Sequence, residues 1–258
     1  MKVVILLIAF LLLGLVYGIF FSQVFKIKSL TFSEDQLSCT TTNEVGEMLK
    51  IVGENFWLLD SLKTEKKIKD KYLCIRSVIL GKSFPDKINL SLKNRRAVLT
   101  LVPAVLPEST PIQSESTESA KPKQIGEALL VDDEGVVFDF DLGQSNQPSV
   151  YILNEDLSIG IGKRLDLKLV QNITQVLDKL RSLSINTDDP KINSQNNLSI
   201  GGKPQIFFAL DNQIGRQLAS LQLILDQAKI ETNEVETLDL RFDKPVVKYG
   251  KRQSDMRN

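Results

Sequence analysis

The N-terminus of the chain differs in pattern from everything that follows it. Residues 3–21 read VVILLIAFLLLGLVYGIFF and contain no charged residue, no Asn, no Gln and no Pro. A helix rises about 1.5 Å per residue, so a helix over this run would measure roughly 28 Å, close to the hydrocarbon thickness of a bilayer. The pattern predicts a transmembrane helix, with residues 1–23 forming a short cytoplasmic stub and the anchor.

A cleaved signal peptide is the alternative interpretation of this segment. Signal peptides have an apolar stretch of about 7–15 residues, followed by a cleavage site of the small-x-small type. Here the apolar run is longer, and the only passable pair, Val16 and Gly18, lies inside it. The uncleaved anchor is therefore favoured. Lysines flank the run on both sides, so charge alone does not decide its orientation.

Alternation and capping signals predict a first folded module directly after the anchor. A capping box from Thr41 to Glu44 opens one helix, and a second helix is expected over 61–71. These elements place one α+β module of order β-α-α-β-β at residues 24–94. Alternating apolar and polar residues predict its strands over 26–32, 75–82 and 87–93.

Residues 95–250 predict a second module that is rich in strands. Apolar residues at helical spacing predict amphipathic helices over 165–183 and 215–229. A stretch rich in Ser, Thr and Pro lacks core-forming residues, so a mobile loop is expected at 104–124 and a flexible charged tail at 251–258. Short apolar runs predict strands over 97–102, 128–140 as a hairpin, 150–153, 205–211, 237–242 and 245–249.

Composition argues against several classes of function. The chain has 32 basic and 32 acidic residues, whereas a nucleic-acid-binding protein usually carries a basic surplus. It has no histidine, which removes Ser-His-Asp and Cys-His catalysis and most zinc sites. We therefore predict no catalytic residues, no metal site and no cofactor.

Two small groups of residues carry open alternatives. Asp132 and Glu134 belong to an acidic cluster before Gly135, which we interpret as a tight turn; a catalytic pair in an anchored cell-wall enzyme is the weaker alternative. Cys39 and Cys74 come to the same end of the first module if its two helices are antiparallel. A disulfide between them is then sterically plausible, and two buried free thiols are the alternative.

Five short motifs follow one another along the chain: NFWLLD at 55–60, FPDKI at 84–88, NRRA at 94–97, VDDEGVVF at 131–138 and LDLRF at 238–242. Their order resembles that of the FtsQ/DivIB family of bacterial cell-division proteins, whose first extracytoplasmic module is a POTRA domain. The resemblance covers essentially the whole chain, although Asn94 and Ala97 stand where the family usually has Glu and Pro.

The resemblance implies an α+β protein with an N-terminal transmembrane helix, a POTRA-like domain and a β-rich mixed domain with two amphipathic helices. It implies a non-enzymatic, single-pass type II membrane scaffold of the divisome, located at the division septum with its C-terminal domains extracytoplasmic. The implied partners are proteins of the FtsB and FtsL type and, through them, septal peptidoglycan synthesis. A membrane-anchored POTRA module that acts in protein transport or envelope assembly is the alternative.

The resemblance also implies a partner-binding surface. In the family a partner strand adds to the C-terminal edge of the β domain, and an open sheet edge accepts such a strand by main-chain hydrogen bonds. For Phe242 and Val247, ordinary β-core positions are the alternative. Carried over by position, the surface comprises Arg241, Phe242, Val246, Val247 and Tyr249.

Overall fold

The computed structural model describes residues 2–34, 37–106, 122–153, 159–187, 189–231 and 234–250. The chain divides into two compact units, Met1–Arg95 and Arg96–Asn258. Both units combine helices with a sheet, so the predicted α+β class is confirmed. Most of the predicted mobile loop and all of the predicted tail lie outside the described residues.

The N-terminal apolar run forms helix α1, Lys2–Phe21. The prediction of a transmembrane helix has to be corrected, because among the residues that the structure describes no helix is both long and apolar enough to cross a membrane.

The first unit has the predicted β-α-α-β-β order. Its middle strand, β3, lies parallel to β1 and antiparallel to β2. Side chains cap both helices: Thr41 accepts a hydrogen bond from the Glu44 amide, and Asp60 accepts one from the Lys63 amide. The elements are β1 Ser29–Glu34, α2 Thr42–Leu49, α3 Ser61–Lys71, β2 Ile75–Ser83 and β3 Lys87–Asn94.

The second unit is built on one ten-stranded mixed sheet. Its elements are β4 Ala97–Val105, β5 Lys123–Gln124, β6 Leu129–Asp132, β7 Val137–Phe140, β8 Ser149–Leu153, α4 Leu167–Ser182, β9 Lys191–Asn193, β10 Asn197–Ile200, β11 Gln205–Ala209, α5 Ile214–Glu231, β12 Val235–Asp239 and β13 Val246–Tyr249. The spatial order is β13-β12-β11-β10-β9-β8-β4-β6-β7, and β5 pairs with β4. The last strand of the chain therefore stands at one end of the sheet.

The apolar faces of α4 and α5 supply the core of the second unit together with the inward side chains of the sheet. The predicted helices over 165–183 and 215–229 are confirmed as α4 and α5. Burial of alternate residues on β10 and β11 matches strands that present one side to a core. Core residues with almost no exposure include Ile173, Val176, Leu180, Leu198, Phe208, Leu221 and Leu238.

Three strands escaped the sequence prediction, and two predicted strands end early. β5, β9 and β10 are short and carry Lys, Gln, Asn and Ser, which weakens the alternation that marks a strand. The ends of the predicted loop at 104–124 are paired, since Ala104 lies opposite Gln124. The strand predicted over 205–211 stops at Ala209, and the strand predicted over 237–242 stops at Asp239.

Candidate interaction edge

Strand β13 ends the large sheet and forms its C-terminal edge. It pairs antiparallel with β12, with Val247 opposite Leu238 and Val246 opposite Asp239. No other strand of the described part of the chain pairs with it. Backbone groups on its outer side are therefore placed to bond a strand from another molecule.

The direction of the backbone groups on this edge follows from one hydrogen bond. The amide of Gly250 donates to the Glu234 carbonyl at 2.8 Å, so Gly250 faces the β12 side. Successive residues of a strand direct their N–H and C=O groups to opposite sides, so Val246 and Lys248 also face β12. Val247 and Tyr249 therefore direct their backbone donors and acceptors to the open edge.

The side chains along β13 divide between exposed and partly buried positions. Val246 is 58% exposed and Tyr249 is 44% exposed, which is unusual for two apolar or aromatic residues on one short strand. Val247 is partly buried and packs against the core of the unit, so the core alternative applies to this residue. Lys248 pairs with Glu236 across the two strands, with 3.1 Å between Nζ and Oε2.

Arg241 and Phe242 lie in the turn that follows β12, and the strand predicted to contain them has already ended. Arg241 donates from Nε to Asp239 Oδ1 at 2.9 Å and from Nη2 to Asp239 Oδ2 at 2.6 Å. Its guanidinium lies over the rings of Phe207 and Phe242, 5.2 and 5.7 Å from their centroids. This two-point ion pair fixes the turn beside β13.

Phe242 is exposed and does not occupy a core position. The turn that carries it is also held from α5, because Arg216 Nη2 lies 2.6 Å from Asp243 Oδ1. The exposed ring therefore stands on a braced turn next to the open strand. Sequence reasoning did not find these two ion pairs. Arg216 and Asp243 lie 27 residues apart, and no spacing rule predicts the bond between Asp239 and Arg241 in a turn.

The ion pair shifts both of its titrating groups. The hydrogen bonds from the Arg241 side chain lower the pKa of Asp239, and the same bonds raise the pKa of Arg241. Burial acts in the opposite direction on each group, and the hydrogen bonds outweigh it. Both side chains therefore keep their charges at neutral pH.

The lowered pKa of Asp239 predicts an acid-sensitive component of stability. Since the pKa in the folded protein lies below the ordinary value of 3.8, the pair stabilises the fold above about pH 4, and this contribution is lost as the pH falls through the folded pKa. We expect Asp239→Asn to remove that component from the free energy of unfolding measured by urea titration between about pH 2 and pH 5. Asp178→Asn, at a largely exposed carboxyl group of α4, is the control. Equal pH slopes for the wild type and Asp239→Asn would contradict the expectation.

The acidic cluster forms a turn, as predicted. Asp132 is fully buried, and its Oδ1 accepts hydrogen bonds from the amides of Glu134 and Val136 at 3.0 and 2.8 Å. Gly135 has φ +79°, and a Cβ there would come within 2.7 Å of the Leu165 carbonyl oxygen. The Asp132 carboxylate thus serves as the acceptor that closes this turn. Among the described residues, no group of His, Cys, Asp and Glu is placed to hold a metal ion.

The structure joins Cys39 and Cys74 in a disulfide, with their Cα atoms 6.1 Å apart. Cys39 precedes α2, and Cys74 lies directly before β2. Cys74 is fully buried, whereas Cys39 is exposed. The bridge therefore ties the entry of the helical pair to the strand that follows it.

Comparison with known proteins adds no family assignment. No protein-family model matches the chain, and no curated protein matches it. The open edge of β13, the braced turn beside it and the disulfide are therefore the features from which function has to be inferred.

Proposed function

We propose that this protein is a non-enzymatic scaffold of the bacterial divisome, which binds FtsB- and FtsL-type partners partly by strand addition at β13. The observation that carries this proposal is the open edge at the C-terminus of the large sheet. Such binding links the cytoplasmic division ring to septal peptidoglycan synthesis through protein contacts alone.

The edge has the properties that strand addition needs. The backbone groups of Val247 and Tyr249 face outward, and they can supply main-chain hydrogen bonds to an incoming strand. Exposed side chains at Val246, Tyr249 and Phe242 offer apolar contacts beside those bonds. Aromatic residues are common binding hot spots, so this combination provides both affinity and selectivity.

The disulfide supports a location outside the cytoplasm. Disulfides persist in oxidising compartments and are rare in the cytosol, where thiols are kept reduced. A bridge between Cys39 and Cys74 therefore fits a first unit that folds on the outer side of the cytoplasmic membrane. We propose the division septum as the site of action within that compartment.

Co-expression with the partners tests the proposal. The full chain, with a photoreactive amino acid at Val246, is expressed with tagged FtsB- and FtsL-type proteins from the same organism. We expect the proteins to co-purify and Val246 to crosslink to a partner. Ile79, which is equally exposed at 59% but lies on β2, is the matched position and should not crosslink.

The outcomes separate the parts of the proposal. Co-purification with crosslinks at Ile79 and none at Val246 would refute strand addition at β13. Absence of co-purification would refute the divisome function, and crosslinking instead to secreted or outer-envelope proteins would favour the transport alternative.

A further inference from the structure

Four aromatic rings of the first unit form one contiguous cluster, here called the aromatic patch. Phe25 ends a short 3-10 helix, Gln23–Phe25, just before β1. Phe56 and Trp57 come from the connection between α2 and α3, and Phe84 comes from the turn between β2 and β3. Neighbouring ring centroids lie between 5.5 and 6.4 Å apart, with tilted or edge-to-face orientations.

The aromatic patch is held in place, and two of its four rings are exposed to solvent. Phe56 is buried, and its amide donates to the Phe25 carbonyl at 2.8 Å, while the Trp57 amide donates to Asn55 Oδ1 at 2.8 Å. Nevertheless Trp57 is 51% exposed and Phe84 is 67% exposed. Contiguous apolar patches of this kind usually mark a site of interaction.

One lysine contacts the aromatic patch, and a second lies close to it in the chain. Lys82 Nζ donates to the carbonyls of Phe56 and Leu59 at 3.1 and 2.7 Å, and it lies 5.6 Å from the Phe56 ring centroid. Lys28, three residues after Phe25, pairs with Asp86 at 2.9 Å and remains largely exposed. The patch therefore combines apolar rings with the Lys82 ammonium group.

We propose that the aromatic patch docks on the surface of a lipid bilayer, at the boundary between headgroups and acyl chains. Trp side chains are enriched at that boundary, where an apolar ring meets polar groups, and lysines reach the headgroups while their stems contact lipid. Docking of this kind needs a rigid apolar surface and no membrane-crossing segment.

The position of the patch in the chain favours lipid over a protein partner. Only Ser22 separates α1 from the short helix that carries Phe25. The described side chains of α1 are apolar after Lys2, and they are exposed. The exposed side chains of α1 and the aromatic patch are two apolar surfaces close together in the chain. A bilayer can bury both, because its acyl chains adapt to surfaces of any shape. This inference does not rest on the proposed divisome function.

Trp57 is the only tryptophan of the chain, so its fluorescence reports on the patch alone. The full protein is mixed with vesicles of equal parts phosphatidylcholine and phosphatidylglycerol, with or without acyl-brominated lipid. We expect a blue shift of the emission, protection from aqueous iodide and quenching by the brominated lipid. If Trp57 stays equally accessible to iodide and is not quenched by bromine, the proposal is overturned, whether or not the protein binds the vesicles.

Substitution at the edge of the patch provides the second measurement. Phe84→Asp places a charge at the docking surface, and we expect it to weaken the Trp57 response to vesicles by about tenfold in lipid concentration. Ile79→Asp, an exposed apolar residue of the same unit, is the matched control and should leave the response unchanged. Equal responses of the two variants would overturn the proposal.

Discussion

Replacement of Cys39 and Cys74 by alanine is expected to lower the free energy of unfolding of the first unit by about 4 kcal/mol. The bridge joins residues 35 positions apart, and closing a loop of that length restricts the unfolded chain far more than the folded one. The first unit is small, so its thermal midpoint should fall by more than about 10 °C. A stability loss of this size is a large part of what a small unit possesses.

Thermal unfolding of the full chain with and without dithiothreitol measures this effect. We expect reductant to lower the midpoint of the first unit in the wild type and to leave the Cys39→Ala/Cys74→Ala variant unchanged. The variant itself should unfold at the midpoint of the reduced wild type. Alkylation of both thiols in the non-reduced protein would contradict the bridge. A wild-type thermal midpoint that is the same with and without dithiothreitol would contradict it as well.

Local signals predicted the β-α-α-β-β elements of the first unit, although the strand predicted over 26–32 lies at Ser29–Glu34. The helix predicted over 61–71 is α3, since Asp60 caps its start and Ile68 marks its buried face. Clean alternation on β3 places Ile88, Leu90 and Leu92 in the core. Here the local preference and the tertiary environment agree, which is the condition under which such prediction works.

The second unit shows where local reasoning stops. β9 is only three residues long, so its strand character comes from its neighbours in the sheet, β8 and β10. β12 ends at Asp239, where the side chain of Arg241, two residues later, turns back to that carboxylate. No periodicity in the sequence reports either of these contacts.

The interaction edge was predictable only in part, for the same reason. Hydrophobicity alone cannot separate an exposed strand residue from a buried one, and Val246 and Val247 differ in this respect although they are adjacent and identical. The exposure of each side chain depends on which face of β13 packs against the core, and that is set by the fold of the whole unit. The sequence did not predict that Arg241 serves chiefly to brace a turn through Asp239.

Tyr249→Pro is expected to weaken binding of the partner strand at least about tenfold, whereas Tyr249→Ala should retain more of the affinity. Both variants lose the aromatic side chain, but only proline also removes the backbone N–H. That N–H points away from β12, so its removal leaves the partner's carbonyl without a donor while sparing the pairing of β12 with β13. The difference between the two variants therefore isolates the main-chain hydrogen bond.

Titration of the purified FtsB/FtsL-type partner against each full-length variant, followed by calorimetry or fluorescence anisotropy, provides the measurement. Equal thermal midpoints for Tyr249→Pro and Tyr249→Ala establish that the second unit is intact in both. Equal affinities of these two variants would show that the partner does not use this backbone donor. Because side-chain docking tolerates proline at this position and strand addition does not, that one comparison separates the two ways in which an exposed edge can bind.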